Sequence, residues 1–201
     1  NEVIKKSRTM WIPKMRETYH EVKLEKKYDW KKEESFSIII GEYDAPEKQE
    51  QGLVKYNFLE DGNTVIYGND GSEKEMLLNT IIYAATKNLD AKSLNLYFLD
   101  YGSESLVRWQ NLPQVGGVVL AGEEEKYNNL FKLLKSELQK RKKLFVDYGG
   151  SYQNYLEKNE DKLPLIVVII NNYDSLYETN PDIYDELPDM LRDSMRYGIT
   201  Y

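Results

Sequence analysis

The chain has no cysteine and one histidine, His20, among its 201 residues. Disulfides and thiolate-held metals are therefore excluded. A histidine metal site or a Ser-His-Asp triad would have to be built on His20, which sits in a polar stretch and reads as a solvated loop side chain. Long hydrophobic runs are missing too. The longest uninterrupted apolar run, Leu165 to Ile170, falls far short of the ~20 residues a membrane-spanning helix needs. No signal-peptide pattern is present, so this piece is expected in the cytosol. Positive charge is scarce. Lys and Arg number 27 against 34 Asp and Glu, a net charge of −7 that repels nucleic acid unless basic residues gather on one face. Internal repeats and low-complexity segments are also lacking.

What remains is an ordinary globular composition, 41% apolar and 30% charged, long enough for one domain with a real core. The chain opens on Asn1, stops at "RYGITY", and reads as a piece of something longer. Residues 1–35 are polar and irregular and read as a connector or N-terminal arm, although Trp11 and Ile12 in "MWIPKM" are candidates to dock on the domain. Phe36 to Ile40 predicts a strand. "GLVKYNFLEDGN" predicts a strand closing on a tight Asp61-Gly62 turn. Thr64 to Tyr67, rich in β-branched residues, predicts a strand covered on both faces. Met76, Leu77, Ile81, Ala84 and Ala85 recur at helical spacing and predict a helix over about Lys74 to Lys87.

"SLNLYFLDYG" predicts a strand ending at Asp100 and Gly102. A loop, a short apolar run and an acidic helix start (Glu123 to Glu125) follow. That helix carries a stripe of Tyr127, Leu130, Phe131, Leu134, Leu138 and Phe145, with "QKRKK" read as a solvated face near its C-terminal end. Leu165 to Ile170 has the character of a central parallel strand. A helix around Asp185 to Arg196 and the start of a strand at "GITY" complete the chain. Strands alternating with helices imply an α/β domain with a mainly parallel sheet.

One stretch carries chemistry. "TVIYGNDGSEKEMLLNTIIYAA" has the layout of strand, phosphate-binding loop and helix. A working loop of the form G-x-x-x-x-G-K-[ST] wraps phosphates with backbone N–H groups, neutralises them with lysine and binds Mg²⁺ through the hydroxyl. Laid over Gly68, Asn69, Asp70, Gly71, Ser72, Glu73, Lys74 and Glu75, this pattern keeps the turn glycines and the lysine. Glu73 replaces its second glycine and Glu75 replaces the hydroxyl. A carboxylate about 4 Å from a phosphate costs on the order of 4 kcal/mol at an effective dielectric of about 20. Two glutamates plus Asp70 oppose the one lysine, although Glu75 itself could take Mg²⁺. The partner acid expected after the buried strand is replaced by Asn171 and Asn172, which hydrogen-bond but neither hold Mg²⁺ by charge nor act as a base. By itself the loop reads as an ordinary turn. The strand-loop-helix setting, followed about a hundred residues on by an apolar strand with a polar end, makes it a damaged nucleotide site.

The order of these segments, with "DAPEKQEQ" before the loop and "LPQVGGVV" before the long helix, resembles the FtsK/SpoIIIE-type ATPase modules over residues 35–201. Within that family it resembles the last module of the EssC/YukB proteins of type VII secretion. The resemblance implies a RecA-like P-loop fold at 36–201, with further strands after "GIT" that this sequence does not contain. It places Gly68 to Glu75 at the Walker A loop and Asn171 with Asn172 at the Walker B end. It also implies a cytoplasmic domain of a bacterial cell-membrane protein, touching the membrane only through its parent, with neighbouring ATPase modules and secreted proteins as partners. The departures at Glu73, Glu75 and Asn171 imply weak or absent use of ATP and Mg²⁺, with no catalytic residue and no protein metal ligand assigned. Substrate recognition or regulation by binding is then the leading function, and the 17 tyrosines suit a contact surface. An ATP-hydrolysing motor module is the alternative. A DNA translocase module is a third reading, against which the acidic balance argues.

Overall fold

The computed structural model describes residues 14–16, 18–31, 36–68 and 72–201. Trp11, Ile12, Asn69, Asp70, Gly71 and the side chain of Ser72, all singled out above, lie outside what is described. Helix α1 (Glu21–Lys27) comes first, then strands β1 (Ser37–Ala45) and β2 (Glu50–Asn57). These strands pair antiparallel as a separate two-stranded sheet, with a register shift between Ile39 and Gly41. Helix α2 (Ser72–Asn88) leads into β3 (Leu94–Asp100), β4 (Val115–Leu120) and α3 (Glu124–Leu144). Then come α4 (Tyr152–Lys158), β5 (Leu165–Asn171), α5 (Tyr173–Thr179), α6 (Ile183–Ser194) and β6 (Ile199–Thr200).

The main sheet has the order β4-β3-β5-β6, and every pair in it is parallel. Successive strand residues face opposite sides, so each buried strand feeds two cores. Leu94, Leu96 and Phe98 join Leu165, Val167 and Ile169 in one core, with Ile81, Ile82, Ala84 and Ala85 of α2 and Tyr152 and Tyr155 of α4. Leu99, Ile166 and Val168 join the other, with Tyr127 to Leu138 of α3, Leu176 of α5 and Ile183, Leu187 and Met190 of α6. This is the three-layer α/β arrangement that the alternating pattern predicts, and Tyr127, Leu130, Phe131, Leu134 and Leu138 of the expected α3 stripe are buried together, whereas Phe145, just past the end of the helix, packs in the other core.

Three expectations change. Thr64 to Tyr67 is not a strand. Thr64 donates its N–H to the Tyr201 carbonyl at 2.9 Å, but Val65 and Tyr67 are 70% and 89% exposed. Among the described residues no strand pairs with Val65 to Tyr67, and a run without a ladder partner leaves its backbone to water. The arm, in turn, is not featureless. Helix α1 buries Leu24, and Lys27 and Tyr28 both bond the buried Glu42 carboxylate of β1. Lys87 of α2 holds Glu25 at 2.8 Å and Glu21 at 3.2 Å. A seven-residue helix with one buried apolar residue has no readable period, and these charges meet across a long sequence separation.

Finally, "QKRKK" is only in part a solvated face, because Arg141 is fully buried. It donates to the carbonyls of Tyr197 (3.0 Å), Gly198 (2.9 Å) and Pro164 (2.7 Å) and to Glu137 at 3.0 Å. Its planar fork ties α3 to the entries of both β5 and β6.

Candidate functional site

The head of α2 and the strand ends meet at the C-terminal edge of the parallel sheet, where α/β folds place their ligands. Gly68 is the last residue described before the loop. A Cβ there would stand 3.0 Å from Lys74 Cγ, so glycine lets the lysine stem lie over the incoming chain. Glu73 is exposed, and Lys74 and Glu75 are half-buried in the first turn of α2. The two glutamates suit the positive end of the helix, and for that reason they compete with a phosphate for it.

Glu75 is engaged elsewhere. One oxygen accepts from Arg108 Nη2 at 3.3 Å and the other from Ser103 Oγ at 3.4 Å. Both partners lie in the connection between β3 and β4. Trp109 in the same connection donates its indole N–H to Asn79 Oδ1 at 2.8 Å, and Asn79 Nδ2 donates back to the Glu75 carbonyl at 2.8 Å. The residue standing where a Mg²⁺ ligand is expected thus fastens the head of α2 to its neighbour.

At the strand ends, parallel pairing puts Asn171 of β5 opposite Asp100 of β3. Asn171 Nδ2 donates to Asp100 Oδ1 at 2.8 Å. Asp100 is fully buried and also accepts from the backbone N–H of Gly102 (3.2 Å) and of Leu106 (2.9 Å). A Cβ on residue 102 would come within 2.9 Å of Asn171 Nδ2, so glycine is what allows the amide in. Asn172 has φ 65° and ψ 74°, a left-handed conformation asparagine tolerates, and its side chain caps α5 by accepting from Ser175 N at 3.3 Å.

Of the residues proposed from sequence, Gly68 lies with Lys74, while Glu75 turns to Arg108 and Asn171 to Asp100. The turn at Gly102 and Ser103 lies between the two ends and touches both. The sequence marks Asp100 only as the end of a strand and does not single out Arg108. The only signal for Asp100 was an acid closing an apolar strand just before a glycine, and Arg108 had none.

The described side chains fit the cation half of a phosphate site and not its metal half. Lys74 is in place at the loop. At the strand ends the one carboxylate is buried and bonded to three N–H donors, and Asn171 carries no charge.

A model of the FtsK/SpoIIIE family matches residues 22–191. The chain is 31% identical over 169 residues to the ESX secretion system protein EccC of Geobacillus thermodenitrificans, a match covering 84% of this chain and 11% of that protein. Among solved structures, EssC (ATPases 2 and 3) from Geobacillus thermodenitrificans superposes with a TM-score of 0.77 at 30% identity, covering 83% of this chain and 32% of that one. Thermomonospora curvata EccC (ATPases 2 and 3), in complex with a signal sequence peptide, shares the fold with a TM-score of 0.76 at 19% identity, covering 85% and 32%. The chain therefore spans about a tenth of the curated relative and about a third of each two-ATPase structure. A parallel sheet flanked by helices, a loop entering α2 over a glycine and a lysine, and a family match running through all of them make this chain a member of the FtsK/SpoIIIE family.

Proposed function

We propose that the chain is a degenerate ATPase module of a membrane-anchored type VII secretion coupling protein. It acts on the cytoplasmic side through substrate recognition or regulation of neighbouring modules, with weak or absent ATP turnover. The observation that carries this is the bond from Asn171 to the buried Asp100, which uses the strand end as a strut where a hydrolytic site needs a charged, metal-facing acid. The relatives' names supply the secretion setting. The peptide held by the Thermomonospora curvata protein supports protein segments as ligands. Residues 1–35 serve as the connector, docked through α1, and 36–201 as the ATPase-like domain. Among the described residues no helix is long and apolar enough to cross a membrane.

A second reading, an ATP-binding and hydrolysing motor module, is favoured by the placement of Lys74 over Gly68. In it Gly68, Asn69, Asp70, Gly71, Ser72, Glu73, Lys74 and Glu75 surround the phosphates, with Asn171 and Asn172 beyond. Bound ATP and Mg²⁺ would supply the hydrolysable anhydride and its counter-charge. Calorimetric titration of the 201-residue chain with ATP, with and without Mg²⁺, separates the two. Absence of heat at millimolar ATP is expected. Magnesium-dependent binding and turnover, both abolished by Lys74→Ala, would overturn the degenerate reading.

A further inference from the structure

Just beyond Asn172 the surface changes character. Tyr173 and Tyr177 stand four residues apart on α5 and so share one face, and Tyr184 lies at the start of α6. They are 43%, 42% and 64% exposed. The rings of Tyr177 and Tyr184 lie 6.0 Å apart and are tilted by 60°. A packed helix pair normally buries such rings, so this is a solvent-facing aromatic cluster on ordered elements.

The charge around it has one sign. From Tyr173 to Glu186 the chain has five carboxylates and no Lys or Arg, a large share of its net −7. Glu186 is paired with Lys135 at 2.9 Å. Asp174, Glu178, Asp182 and Asp185 are exposed, and among the described residues none has an ion-pair partner. The field reaches inward. The Tyr127 hydroxyl beneath is pushed up to about 12, first by burial and then by Glu186, Tyr101 and Asp182.

Aromatic faces ringed by unpaired carboxylates bind cations that are both flat and charged. A guanidinium stacks on tyrosine within about 6 Å of the ring centroid while its N–H fork reaches carboxylates. An ammonium matches the charge alone. Nucleic acid and anionic membrane are repelled by the same carboxylates. We infer that the α5–α6 tyrosine face is a docking site for an arginine-bearing protein segment, held by guanidinium–tyrosine stacking inside a carboxylate rim. It is separate from the loop and does not depend on whether the loop binds ATP.

The test uses the 201-residue chain and three labelled 14-residue peptides of Gly and Ser carrying four arginines, four lysines or four glutamates, read by fluorescence anisotropy at 150 mM salt. The arginine peptide is expected to bind, with the lysine twin several-fold weaker and the glutamate twin not binding. Tyr177→Ser with Tyr184→Ser should weaken arginine-peptide binding about tenfold or more, and so should Asp174→Asn with Glu178→Gln and Asp185→Asn. Tyr177→Phe with Tyr184→Phe keeps the rings and should keep the binding. Thermal midpoints check that each variant is folded, and the charge variants carry the test if the serine pair is not. No binding of the arginine peptide, equal binding of the lysine twin, binding of duplex DNA at this face, or indifference to loss of the rings or of the rim carboxylates in a folded variant would each overturn the inference.

Discussion

Arg141 and Glu75 both project from helices that flank the sheet, and both hold two elements together through charge. Arg141 is fully buried and donates to three carbonyls and a carboxylate. Glu75 has a 37% exposed side chain and meets Arg108, itself 57% exposed, at 3.3 Å. The first contact is part of the fold, because its loss would strand carbonyls away from water. The second is a surface ion pair, screened by salt and readily exchanged for water. The strand-end pair of Asn171 and Asp100 belongs with the first kind. The two ends of the candidate site are therefore held differently: the strand end is tied to a buried carboxylate, while the Glu75 end remains at the surface and can be changed.

The contrast is broken most severely at Arg141. Arg141→Ala should destabilise by about 3–5 kcal/mol in denaturant titration, and Arg141→Lys should recover only part, since an ammonium cannot span three carbonyls. The acid limb of stability should flatten as well. Burial pushes the Glu137 carboxyl up, but the Arg141 hydrogen bond and charge, with Lys140, hold it below its ordinary 4.5. A depressed carboxyl contributes stability that is present above its ordinary value and is lost as pH falls through the folded one. Without Arg141 that loss should shrink.

Asn171→Asp comes next. It restores the acid expected at the Walker B end, yet it sets a second carboxylate against Asp100. A penalty on the order of 2–4 kcal/mol is expected at pH 7. One carboxyl of the pair then has a raised folded pKa, so the penalty is full above that value and fades as pH falls toward about 4. Thermal melts from pH 4 to 8 would show it. No penalty at pH 7 would mean the strand end is as open as the loop.

Asn172 sharpens the comparison at smaller scale. Asn172→Ala removes the α5 cap and strains a left-handed residue, at about 1–2 kcal/mol, whereas Asn172→Gly keeps the backbone and should cost less. Glu75→Ala is the smallest effect. Its stability change should stay within about 0.5 kcal/mol in denaturant titration, and any gain in ATP affinity it brings would show that the loop end is limited by repulsion alone.

Much of the fold was legible because buried strands and long amphipathic helices repeat their pattern. Leu165 to Ile170 and the Tyr127-to-Leu138 stripe are read without knowing their partners. Helices α1, α4 and α5 are seven residues each, too short to show a period. The candidate site was legible as a list of residue types and not as an arrangement. Glu73, Lys74, Glu75, Asn171 and Asn172 could be named from spacing, but Asp100 and Arg108 enter only because parallel pairing and the β3–β4 connection bring them to the same edge.

Sequence alone determined the alternation of strand and helix, the loop's glycines and lysine, and the substitutions that oppose a phosphate, since these are local chemistry and periodicity. Tertiary structure decided which charges are structural. Arg141 and Lys142 are neighbours in "QKRKK", yet one is fully buried and the other is partly exposed beside Asp193. Thr64 to Tyr67 has the composition of a covered strand, yet among the described residues no strand pairs with it, and Val65 and Tyr67 are exposed. Burial and partners belong to pairs of segments distant in the chain, and no single segment encodes them.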